Sequence, residues 1–299
     1  ALSETHAHTL MLARTRGQLA TPITFGLRVS QWAQPLIGLE AELDGLQQEA
    51  LRVQLGGASG SRSVFGAAAD EIAGLMATEL ALASGPPWHT DRSAVRRLAE
   101  WLGRLVTATG KIGRDVSLAA RGEVAELRLA ASGSSSTMPH KSNPVLAEAL
   151  QSLVPVAVGC QAGLAAAAVH AEERDGAAWS VEWALIPQLF ELAGTALERA
   201  EKLIETLIVD VEAMRARATA DPSVLAEAAV FALAAQVGRV EASRLVSAAL
   251  ASGLPLDAAL EGQGGIDWAQ ALSDAGFTGP ASRVAAQVFA SRKADMHHA

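Results

Sequence analysis

Apolar residues recur with 3,4 spacing over two long stretches of the chain. Between Asp91 and Gly122 they are Val95, Leu98, Leu102, Leu105, Thr109, Ile112 and Val116, with Thr109 the one polar interruption. That pattern predicts the seam of a bundle helix. Arg96, Arg97, Glu100, Arg104, Lys111 and Arg114 occupy the opposite face, directed toward solvent or a charged cavity. The same spacing returns at Ile186, Leu189, Ala193, Ala196, Ala200, Leu203 and Leu207. At about 1.5 Å per residue, these helices should each run for roughly 35 to 45 Å. A third long segment, Phe25 to Leu51, carries Pro35 and is expected to kink there. A fourth runs from Val145 to about His170, kinked near Pro155. Small residues dominate the facing positions, so the helices can approach closely.

Loop signals punctuate the chain at Gly56 to Ser63, Ser84 to Thr90 and Ala131 to Pro144. After Leu207 the segments shorten. Asp210 reads as an N-cap, Asp221-Pro222 as a cap with proline at the first helical position, and short helices come at about 240 to 252 and 280 to 294. These signals predict a long-helix bundle domain over residues 1–209 and a small helical C-terminal domain over 210–299.

Composition strengthens the helical reading and narrows the partners. Six Trp, six Phe and no Tyr leave strand-forming residues scarce, so an all-α fold is expected. Half the residues are hydrophobic and 19% are charged, which excludes a disordered or fibrous chain. Thirty-two acidic against 24 basic residues give a net charge of -8. No basic stretch stands out, so neither nucleic acid nor an anionic membrane is expected as a partner. The lone Cys160 fits a reducing cytoplasm. Ala149 to Ala171 lacks formal charge and is long enough to span a bilayer. However, Pro155, Gln151, Gln161 and two glycines weaken it, and it is read as a buried bundle helix. The first residues carry no signal-peptide pattern and no Met, which reads as a processed or truncated start.

One loop is unlike its surroundings. Gly133-Ser134-Ser135-Ser136-Thr137-Met138-Pro139-His140-Lys141-Ser142-Asn143-Pro144 packs hydroxyls, a lysine, a histidine and an asparagine into a glycine-started loop that enters the fourth helix. Backbone N–H groups at a helix N-terminus, hydroxyl donors and a cation together suit a substrate with several carboxylates. On composition alone, a solvated linker accounts for it equally. With few apolar anchors, residues 131–142 are expected to be mobile without ligand. His6, His8, His140 and His170 show no metal-ligand spacing with carboxylates and no phosphate-cradling glycine loop is present, so no metal or cofactor is implied.

Ser135-Ser136-Thr137-Met138-Pro139-His140-Lys141-Ser142-Asn143-Pro144 resembles the signature loop of the fumarase/aspartase superfamily. The segment from Arg14 to Gly26 resembles a second motif of that superfamily, with Arg16 standing where the wider family has histidine. Pro87-Trp88-His89-Thr90 with Arg92, and Glu173-Arg174-Asp175 with Trp179, Glu182 and Trp183 after it, look most like the 3-carboxy-cis,cis-muconate cycloisomerase branch. A further motif of the superfamily, upstream of these, is not found; the chain starts too late to contain it.

The resemblance implies an all-α long-helix bundle, no cofactor, and a homotetramer whose active sites are shared between subunits. It implies proton transfer next to a carboxylate through a doubly charged aci-carboxylate held by preorganised donors. Ser135 would transfer the proton. Lys141, Asn143 and the loop amides would stabilise the charge, and Thr15, Arg16, Gln18, His89, Thr90, Ser136 and Arg174 would bind the substrate. Each position also has a plainer reading. Ser135 can be an ordinary loop hydroxyl, Arg16 a structural arginine paired with an acid, His89 a loop histidine on Trp88, and Arg174 an ion-pair partner of Glu172, Glu173 or Asp175. Arginine cannot protonate a leaving amine near neutral pH, whereas a lactone's carboxylate needs no proton and gains from a guanidinium. Arg16 therefore favours cycloisomerisation over an argininosuccinate- or adenylosuccinate-type lyase. A catalytically silent homologue is the remaining alternative.

Overall fold

The computed structural model describes residues 1–130, 133, 134, 138 and 142–295. Ser135, Ser136 and Lys141 lie outside the described residues, as does the expected mobility of most of 131–142. The chain forms two compact units. The first comprises Ala1–Gln34, Ala119–Arg128 and Ile208–Ala299, and the second Pro35–Leu118 and Leu129–Leu207. The chain returns to the first unit at Ile208, and its first 34 residues also belong to that unit.

The elements in chain order are α1 (Leu2–Thr5), β1 (Leu10–Thr15), β2 (Gln18–Thr24), α2 (Phe25–Ala41), α3 (Leu43–Ala50), α4 (Ala69–Glu79) and α5 (Ser93–Ala119). They continue with β3 (Leu127–Leu129), β4 (Gly133–Ser134), β5 (Ser142–Asn143), α6 (Val145–Ala167), α7 (Gly176–Glu205), β6 (Leu207–Val209) and α8 (Val211–Ala218). The last are α9 (Ala226–Val237), α10 (Arg239–Ala251), α11 (Leu256–Ala259), α12 (Trp268–Ala271) and α13 (Asp274–Asp295). The fold is all-α with short two-stranded ladders. Of these, the β1–β2 hairpin is a feature that the strand-poor composition hid.

In the second unit, both expected seams face inward. Leu102, Leu105, Thr109, Ile112 and Val116 are buried on α5, as are Leu189, Ala193, Ala196, Ala200 and Leu203 on α7. Leu207 is an exception, because α7 stops at Glu205 and Leu207 opens β6, which pairs with β3. The polar face of α5 meets α3 through surface ion pairs, Arg104 gripping Glu42 at 2.7 Å twice and Arg97 meeting Glu49. Such exposed pairs each contribute about 0–1 kcal/mol. Close helix approach is real at Gly113, where an added Cβ would lie 2.6 Å from the Ala147 carbonyl oxygen. The third segment breaks at Glu42 between α2 and α3, and α2 runs on through Pro35.

Helix α6 buries one face, with Ala147, Leu150, Ala157, Cys160 and Leu164 inside, and leaves Val145, Val156 and Val158 exposed. It is long and apolar enough to cross a membrane by length and composition. The single chain covers one side of it, a smaller share than a buried bundle helix was expected to have.

In the first unit, β1 and β2 pair antiparallel, and Leu10 and Leu12 pack with Ala218 and Val224. The hairpin thus rests on α8. The C-terminal helices enclose a core of Leu233, Val246, Leu256, Leu260 and Trp268. Asp210 caps α8 by accepting from the Ala213 amide, and Asp221 accepts from the Ser223 amide with Pro222 between them, as the sequence predicts.

Candidate active site

The first unit presents three of the expected substrate residues at the hairpin tip. Thr15 pairs with Gln18, and the two connecting residues, Arg16 (φ 53°) and Gly17 (φ 80°), both lie in the left-handed region. This is the type I′ geometry whose twist matches that of the strands. Glycine adopts it freely. For Arg16 it costs about 1–2 kcal/mol, and strained non-glycine residues cluster at functional sites. Thr15, Arg16 and Gln18 are all exposed. Among the described residues Arg16 has no hydrogen-bond or ion-pair partner, so the paired structural arginine of this segment is a different one. Arg14 donates to Glu126 at 2.9 and 2.7 Å.

The second unit brings His89 and Arg174 together on one carbonyl. The Nε2 of His89 lies 3.1 Å from the Gly57 oxygen, and Arg174 Nη2 donates to the same oxygen at 3.0 Å. A carbonyl has two lone pairs and can accept both. The imidazole lies over Gly56, where an added Cβ would be 2.1 Å from its Cε1. In the neutral ring, donation by Nε2 leaves Nδ1 as an acceptor, and Nδ1 is buried without a partner among the described residues. The face of Trp88 is taken by Arg92, 5.1 Å from the ring centroid, so Arg92 rather than His89 sits against this ring. Arg174 stacks 5.2 Å from the Trp179 ring. The neighbouring Asp175 instead caps α7, its carboxyl held below the usual range by the amides of Ala178, Ala171 and Ala177. Thr90 is exposed. Asn143 is half-buried in β5, opposite Gly133, with Ser142 opposite Ser134, so the ends of the signature loop are pinned as a short ladder.

One buried constellation lies beside these residues; Arg92 and Glu182 stand in two of the resembling motifs, and their pairing was not read from the sequence. Arg92 forks onto Glu182, with Nε donating at 2.8 Å, and the side chains are 5% and 4% exposed. His170 Nε2 lies 3.5 Å from Glu182 Oε1. A signal was present, since the 3,4 seam of α7 extended backward from Ile186 lands on Glu182. An acid on a buried seam needs a partner. Among the described residues no group of three or more His, Cys, Asp or Glu could hold a metal ion.

With this geometry in place, comparison with known proteins decides the family. A family described as lyase matches residues 1–159, more than half of the chain. The chain belongs to this lyase family. The 3-carboxy-cis,cis-muconate cycloisomerase of Bradyrhizobium diazoefficiens is 38% identical over 83% of this chain and 56% of the relative. That of Pseudomonas aeruginosa is 40% identical over 82% and 54%. The chain spans about half the length of the curated relatives it matches. The crystal structure of the 3-carboxy-cis,cis-muconate lactonizing enzyme from Pseudomonas putida superposes with a TM-score of 0.85 at 31% identity, covering 99% of this chain and 69% of that one. The lyase-family fold agrees with the all-α long-helix bundle and the fumarase/aspartase resemblance read from the motifs.

Proposed function

We propose that this lyase-family chain is a cycloisomerase interconverting 3-carboxy-cis,cis-muconate and its carboxymuconolactone. In the lactonising direction, one carboxylate oxygen bonds to an olefinic carbon. The displaced electron pair forms an aci-carboxylate, and a proton joins the adjacent carbon. No atom leaves. Ser135 transfers the proton, Lys141 and Asn143 hold the added charge, and Ser136 contacts the substrate. His89, Thr90, Arg174, Thr15, Gln18 and Arg16 bind the carboxylates.

The observation that carries this reading is Arg16, a guanidinium without a partner among the described residues and held at a strained hairpin tip. It meets the carboxylate that becomes the lactone ester, a partner that needs no proton donor. Loss of 3-carboxymuconate diene absorbance on adding the protein tests the reaction, and its absence, or expulsion of an amine from argininosuccinate or adenylosuccinate instead, rejects it. Arg16→His keeps a residue tolerant of positive φ and is expected to weaken transition-state binding by ~2–4 kcal/mol. Arg16→Lys is expected to recover part of this, since it keeps the charge without the planar fork. Unchanged steady-state kinetics in Arg16→His would remove Arg16 from the site.

The reading includes a homotetramer in the cytoplasm, with sites shared between subunits. The exposed apolar residues Val156 and Val158 on α6 and Trp183, Phe190 and Leu197 on α7 support it, because such surface needs a cover. Sedimentation is expected to show a tetramer. A monodisperse monomer at micromolar concentration would defeat the shared site.

A further inference from the structure

We propose that Glu126 is a positioning residue that sets the hairpin tip through Arg14. The role rests on the assignment of Thr15, Arg16 and Gln18 to the substrate site. Glu126 is fully buried, and its backbone is held on both sides. Its amide donates to the Ala119 carbonyl at 3.0 Å, and its carbonyl accepts from the Asp210 amide at 3.0 Å. The preceding Ala125 takes a left-handed φ of 50°, so the segment is locked in an unusual path. From this fixed point the carboxylate receives both prongs of the Arg14 guanidinium. A second guanidinium, Arg217, approaches Glu126 Oε1 at 3.4 Å and donates to the Glu123 and Val124 carbonyls at 2.8 and 3.0 Å.

The hairpin needs this hold. Its register shifts between Leu12, opposite Pro22, and Arg14, opposite Leu19. One residue of β1 therefore faces two of β2. Such a bulge disrupts the ladder and re-aims the residues beyond it, and Pro22 brings no N–H to the ladder there. Beyond the bulge the tip has only the pairs Arg14–Leu19 and Thr15–Gln18 before the turn. Backbone pairing alone is therefore weak where Arg16 must be aimed. Arg14 is the first residue past the bulge, and its side chain is fastened to a buried, doubly braced carboxylate. A bidentate charge-assisted pair fixes orientation as well as distance. The tip thus takes its direction from Glu126 rather than from the strand ladder.

The test uses the full chain, comparing Glu126→Gln and Arg14→Lys with wild type by hydrogen exchange and kinetics. Both variants lose the bidentate charged pair but keep similar volume. Amides of residues 15–18 are expected to exchange about tenfold faster or more, while those of α9 and α10 stay unchanged. The kcat/KM for 3-carboxy-cis,cis-muconate is expected to fall roughly 10- to 100-fold, the scale of a misplacement near 1 Å. The two variants and Arg16→Ala then form double-mutant cycles. If Glu126 acts through the tip, its substitution costs little further once Arg16 is gone. A purely structural role would multiply the two losses in full, and that result overturns the proposal. So does unchanged tip exchange in either folded variant, including Arg14→Lys where Glu126→Gln fails to fold. Absence of muconate turnover in wild type would reject the proposed activity alone, since tip exchange still decides whether Glu126 positions the hairpin.

Discussion

Ser135→Ala is expected to lower turnover of 3-carboxy-cis,cis-muconate by about 10²–10⁴-fold, the span that one positioned proton-transfer group contributes, and to leave folding unchanged. The folding half rests on the surroundings of the loop. Its ends are tied by the ladder of Gly133 with Asn143 and Ser134 with Ser142, and the core of the second unit is built from α5, α6 and α7. Serine to alanine removes one hydroxyl and no apolar surface. The catalytic half rests on the chemistry of the motif. Serine is a weak base at neutral pH, so the proposed mechanism has Lys141, Asn143 and the loop amides stabilise its alkoxide, and alanine cannot replace that function at any pH. Circular dichroism beside steady-state kinetics checks both halves. Near wild-type turnover in a folded variant would assign proton transfer to another group.

Glu182→Ala is expected to be the most destabilising single substitution in the second unit, by about 3–5 kcal/mol. Arg92 and Glu182 are almost fully buried, and Arg92 also lies over Trp88. Deleting the carboxylate leaves an uncompensated guanidinium in a low-dielectric site. At ~2–4 °C per kcal/mol for a unit of this size, the thermal midpoint should fall by roughly 6–20 °C. Glu182→Gln should lose less, because an amide oxygen still accepts from Arg92. A midpoint shift below about 2 °C in Glu182→Ala would show that water reaches the pair and that it contributes little. The pair also borders the candidate site. Arg92 Nη1 reaches the Trp88 carbonyl at 3.4 Å, one residue before His89, so activity in Glu182→Ala should fall along with stability.

Local sequence determined the parts of this protein that depend on neighbours in the chain. The 3,4 seams of α5 and α7 were legible because a helix repeats its face every few residues, whatever it packs against. Asp210 and Asp221 were legible as caps because each bonds an amide two or three residues away. The hydroxyl-rich loop and Arg16 stood out by residue type, which limits what can move a proton or hold a carboxylate, and their roles are proposals.

Tertiary structure decided where distant charges pair. Twenty-four basic and 32 acidic residues allow very many pairings. Nothing local tells Arg14 to choose Glu126 across 112 positions, or Arg92 to choose Glu182 across 90. The same holds for Gly57, which receives His89 from 32 residues away and Arg174 from 117. The hairpin was hidden for a different reason. Arg-Gly is an uncommon pair for a type I′ turn, because the arginine must accept a left-handed backbone that asparagine or glycine takes more readily. Its strands were stabilised by packing on α8, whose sequence lies some two hundred residues downstream. Local pattern therefore set the helices, while burial of a few charges among residues far apart in the chain set how the hairpin tip and the Gly57 cluster are held.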